Sequence, residues 1–137
     1  MNPALALVLA PALLLISLPE ARAAEPPMTA EEFDAHTQGR TLYFYAEGQA
    51  YGIERYRPDH RVTWSFLDGR CKDGRWYQQG RFICFAYDDV PEPQCWTFYA
   101  EGDRLRALFE DRPGETELYE AGEADQPMMC LGPEVGA

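Results

Sequence analysis

The chain has 137 residues, with 12 basic and 23 acidic side chains and a formal net charge of −11. Such a balance excludes nucleic acid and anionic membrane as partners, because both need a basic face. The length allows one modest core and not two.

Residues 4–18 form an apolar run too short for a comfortable membrane span, and Pro19 and Ala21-Arg22-Ala23 follow it. This has the form of a secretion signal ending in an A-x-A cleavage site. Residues 1–23 are therefore expected to be a signal peptide and 24–137 a single exported domain. Its expected location is an exported, oxidising compartment or the secreted fraction, with no membrane attachment after cleavage. Lys72 is the only lysine, so the abundance of arginine reads as codon bias in a GC-rich genome and not as anion recognition.

Pro26-Pro27 ends the mature N-terminus, and Thr29-Ala30-Glu31-Glu32 is a capping box. A helix is predicted over 30–38, with Gly39 as its left-handed stop. Phe33 and Thr37, with Ala30, share one narrow face. A helix this short is stable only when docked.

From Arg40 onward the pattern changes to alternating, aromatic-rich strands, predicted near 41–46, 50–57, 61–67, 74–78, 81–87, 95–100, 104–110 and 116–120. The turns between them are too short for parallel crossovers, so the sheet is an antiparallel up-and-down meander. The fold class is mainly β: about eight strands in a small barrel or curved sheet, with one short N-terminal helix near an opening. Leu42 and Phe44, then Val62, Trp64 and Phe66, then Leu105, Ala107 and Phe109 form the predicted core stripes. The tail after Glu120 reads as irregular.

The chain has four cysteines, which permit three pairings. If Cys84 and Cys95 are cross-strand partners, Ile83 falls opposite Trp96, and Phe85 shares that face with Phe98 nearby. Cys71 then pairs with Cys130 by elimination, pinning the tail. The spacings contain neither the close pairs of a zinc site nor a C-x-x-C redox motif. Both disulfides are expected to be structural, in an oxidising compartment.

Material for catalysis is scarce. Ser65 is the only serine of the mature chain and lacks a nucleophile-elbow context. His36 lies on the helix. His60 fits the left-handed position of the Arg57-Pro58-Asp59-His60 turn. Asp88, Asp89 and Glu92 match no calcium-loop spacing. No enzyme activity, metal or cofactor is expected.

The turn at Pro58 leaves two registers open. A three-residue loop with a bulge sets Glu54 opposite Trp64. A two-residue loop brings Tyr51, Ile53, Arg55 and Arg57 onto the Trp64 face instead. Either way a charge meets the most aromatic surface, where an unpaired buried charge is costly. It must sit at a rim, in an ion pair, or facing a wet cavity. Trp64, Trp76, Glu54, Arg55 and Arg75 are therefore the candidate ligand-binding residues.

Gly74-Arg75-Trp76-Tyr77, Gly80, Ile83-Cys84-Phe85 and Pro93-Gln94-Cys95-Trp96-Thr97-Phe98 resemble the core of small uncharacterised exported β-proteins of GC-rich Gram-negative bacteria. The resemblance implies a periplasmic address and a compact β-fold, and no catalysis. At fold level alone, the layout is similar to lipocalin-like barrels and to small periplasmic inhibitors of secreted metalloproteases. Fold likeness is a weak warrant for function. The expectation is a monomeric, non-enzymatic binding module for a small molecule or peptide. The alternative is a protein-interaction or protease-inhibitor-like module whose partner is a periplasmic protein met through loops such as 88–94.

Overall fold

The computed structural model describes residues 24–131; the expected signal peptide, residues 1–23, lies outside them. Alternation after Arg40 resolves into eight strands: β1 (Thr41–Ala46), β2 (Gln49–Arg57), β3 (Arg61–Ser65), β4 (Lys72–Gln79), β5 (Phe82–Tyr87), β6 (Gln94–Glu101), β7 (Arg104–Phe109) and β8 (Glu117–Glu123). Each pairs antiparallel with its sequence neighbour, and β8 returns to β1, closing an up-and-down barrel. Irregularities in β1 on both its edges, at Phe44/Tyr45 and Tyr43/Phe44, supply local bending.

Closure extends β8 past the predicted end at residue 120, since Leu42 and Tyr43 pair with Glu123 and Gly122. At β3 the prediction runs too long. The strand stops at Ser65, because Leu67 turns at φ 65° and the Ser65 hydroxyl accepts from its N–H at 3.1 Å. Phe66 therefore leaves the expected core stripe and is 51% exposed. Phe109, at the end of its own stripe, is half-buried against Trp96, with ring centroids 5.1 Å apart.

The turn at Pro58 adopts the three-residue form. Arg57 faces Arg61 and Glu54 faces Trp64, with Asp59 and His60 both left-handed at φ 61° and 57°. This register points Glu54 and Tyr56 into the barrel and leaves Arg55 exposed.

One end of the barrel is stoppered by α1 (Ala30–Thr37). Its capping box forms: Thr29 Oγ1 accepts from the Glu32 N–H, and the Glu32 carboxylate accepts from the Thr29 N–H. Gly39 leaves the helix at φ 78°. Phe33, fully buried, meets Trp76 edge-on at 5.0 Å and lies 4.5 Å from Phe98. A second anchor is the buried Glu120 carboxylate, which accepts from the Leu105 N–H (2.8 Å) and faces His36 Nε2 (2.7 Å) and Arg40 (3.4 Å). β5 and β6 share only three paired positions, and the Met28 N–H reaches the Phe98 carbonyl beyond them.

Both expected disulfides are present, Cys84–Cys95 and Cys71–Cys130. Ile83 sits opposite Trp96 as the hairpin register requires, and Phe85 lies 6.1 Å from Phe98. The Leu131 N–H donates to the Gly69 carbonyl, so the tail lies along the 66–71 turn.

Candidate functional site

Strand alternation sends one side chain in two to the interior, and eight strands leave room for little more than those side chains. Two glycines on inward positions create more. The Trp64 indole lies where a Gly52 side chain would stand, and Tyr87 packs over the space beside Gly74. Above the layer formed by Phe33, Trp76 and Phe98 the barrel therefore keeps a cavity of about 240 Å³. Tyr56, Phe85 and Phe98 line its depth, Trp64, Trp96 and Ala107 its walls, and Tyr51, Phe66 and Lys72 its open rim.

Glu54 enters this apolar space from β2. It is 2% exposed, and the Tyr87 hydroxyl donates to its carboxylate from 3.1 Å. Burial pushes the Glu54 carboxyl well above its ordinary value of 4.5, and the Tyr87 hydrogen bond opposes this only in part. Burial likewise drives the Tyr87 phenol well up, aided by the charge of Glu54. Tyr56 is raised by burial first, then by the charges of Glu54 and Glu120. At the rim, Lys72 pairs with Asp89 at 3.5 Å and Val90 contributes to the lining, so the 88–94 loop folds against the opening.

Of the residues expected to meet at a site, Glu54 and Trp64 do so. Trp76 does not. It is 2% exposed and lies at the helix end, stacked on His60 at 3.6 Å and against Phe33. The cause is antiparallel reversal: Trp64 faces Lys72, so Trp76, four residues on, is carried toward the opposite end. Arg55 and Arg75 do not meet there either, because both occupy outward positions and are exposed.

Tyr87 and Trp96 were not expected at the site. Tyr51 was expected beside Trp64 only in the two-residue register, yet its ring lies 5.9 Å from that of Trp64 in the three-residue one. For Tyr87 a signal exists, since the alternation Ile83, Phe85, Tyr87 places it inward.

The arrangement can enclose a small apolar body and hydrogen-bond one polar group at the Glu54–Tyr87 pair. Ser65 is buried and its oxygen is occupied by the Leu67 N–H. Among the described residues, no three His, Cys, Asp or Glu side chains gather as a metal site. None of the described helices is long and apolar enough to cross a membrane. No family model, curated protein or solved structure matches the chain.

Proposed function

We propose that this is an exported, non-enzymatic binding protein that holds a small, mostly apolar molecule inside its barrel. The observation that carries the reading is the Glu54–Tyr87 pair, a buried polar couple lining an open, aromatic-walled cavity. Burying a carboxyl in apolar surroundings is costly, and an occupant that hydrogen-bonds it offsets that cost. Concave apolar sites with few convergent polar groups are the usual form of a small-molecule site. Two disulfides suit an oxidising compartment, and residues 1–23 would direct the chain there.

The test uses Trp64 and Trp96 as reporters. Cyclohexanol and 2-phenylethanol, titrated into the disulfide-bonded protein, should give saturable fluorescence changes and raise the melting temperature. Ala107→Phe, which fills the cavity from β7, should remove both responses, with Ala107→Leu reducing them if the larger side chain prevents folding. Absence of any response to both probes in the wild type would overturn the reading.

A further inference from the structure

We infer that the natural occupant of this cavity carries a positively charged amine, seated against the Glu54 carboxylate within a cage of aromatic rings. This rests on the preceding reading that the cavity binds a small molecule, and adds the ligand's charge.

The argument starts from a contrast between two buried carboxylates. Glu120 is fully furnished: a backbone N–H, His36 and Arg40 all face it. Glu54 is the more deeply buried of the two, yet among the described residues no basic side chain lies within ion-pair distance of it. Among the described residues its one hydrogen-bond donor is the Tyr87 phenol. A carboxylate can accept from about four directions, so Glu54 has capacity left, and it lines the cavity.

The walls suit a cation. Tyr51 and Trp64 (ring centroids 5.9 Å apart), together with Phe85, Tyr87 and Trp96, present ring systems to the same space. Aromatic faces attract ammonium groups, more strongly once both are out of water. Among the described residues of the lining the sole basic one, Lys72 on β4, pairs with Asp89 and so does not serve as the counter-ion of Glu54. The remaining titratable groups toward Glu54 are phenols, Tyr56 and Tyr51 on β2 and Tyr87 on β5, with Glu120 on β8 acting on Tyr56 from below. Ionised Glu54 therefore leaves this interior with uncompensated negative charge, which an ammonium neutralises. A neutral ligand would instead meet Glu54 as a protonated acid and would gain no ion pair from it.

The experiment compares three probes of one shape, 2-phenylethylamine, 2-phenylethanol and phenylacetate, by calorimetry on the disulfide-bonded protein. An alkyl amine of this kind stays protonated to about pH 10, so charge is the variable. The amine should bind about tenfold tighter than the alcohol, and phenylacetate weakest of all. Amine binding should release a proton from Glu54 and tighten as pH rises above the ordinary carboxyl range. In Glu54→Gln the advantage of the amine over the alcohol should disappear. An alcohol that binds as well as the amine, or an amine preference that survives Glu54→Gln, overturns the inference while the cavity remains a small-molecule site. Failure of all three probes overturns the cavity reading and this inference together.

Discussion

The Trp64 indole fills the place of the missing Gly52 side chain, across the β2–β3 ladder and one wall of the cavity. A methyl group at Gly52 would meet both the six-membered part of that ring and the Ser65 carbonyl at 2.8 Å. Gly52→Ala must push the indole aside. Overpacking of this kind costs about 1–3 kcal/mol. The denaturation midpoint should fall, and the tryptophan emission should shift as Trp64 moves. Unchanged stability and emission would show that the ring is free to yield.

Glu54 makes stability depend on pH in a direction opposite to that of a salt-bridged carboxylate. Its folded-state value is raised, so between the ordinary 4.5 and the raised value the folded chain holds a proton that the unfolded chain has released. Stability from this group is complete below pH 4.5 and is lost as pH rises through the folded value. Glu54→Gln carries no such dependence. The two proteins should have similar melting temperatures at low pH, with the variant increasingly the more stable on the alkaline side. Parallel melting curves across that range would refute the assignment.

Phe33 holds the helix on the barrel through edge contacts with Tyr56 and Trp76, at 5.7 and 5.0 Å, and close packing on Phe98. An eight-residue helix does not persist undocked, however well capped. Phe33→Ala should cost about 3–5 kcal/mol, and amide exchange over residues 30–37 should accelerate more than that of β3 and β4. Uniform acceleration would show that helix and barrel melt as one unit.

The two disulfides should separate by where their loss is felt. Closing loops of 59 and 11 residues corresponds to about 4 and 3 kcal/mol on a chain-entropy account. Cys71→Ser with Cys130→Ser should free the tail, exposing the Leu131 amide to exchange while the barrel ladder stays protected. Cys84→Ser with Cys95→Ser should open β5 from β6, where only three positions pair. A reversed pattern of protection would contradict both assignments.

The elements that depend on neighbouring residues are legible in the chain itself. The capping box, Gly39 and the alternation of β1 each rest on local chemistry. The Cys84–Cys95 register follows because pairing the cysteines sets Ile83 opposite Trp96, whereas a one-residue slip would turn Ile83 and Phe85 outward. The β2–β3 register is different. Tyr51 and Ile53 on one face compete with Glu54 and Tyr56 on the other, and alternation does not choose between them; only the left-handed fit of His60 favours the three-residue turn. Closure decides it, by packing Tyr56 on Phe33 and bringing Glu54 to Tyr87, 33 residues further along the chain. The same long-range geometry separates Trp76 from Trp64 and points Arg55 and Arg75 to solvent. Half of the site is therefore written in strand alternation, and the meeting of its two polar residues only in the closed barrel.

Because Phe33 stoppers the helix end, the interior is, among the described residues, a blind vessel whose doorway lies toward Phe66 and Lys72. On the proposed reading, an occupant would enter and leave past Tyr51, Phe66 and the Lys72–Asp89 couple. Residence time would then be governed by how readily those doorway side chains swing aside, whereas selectivity would be exercised deeper down. Substitutions at Phe66 should alter how fast an occupant comes and goes in both directions, with its equilibrium occupancy nearly untouched.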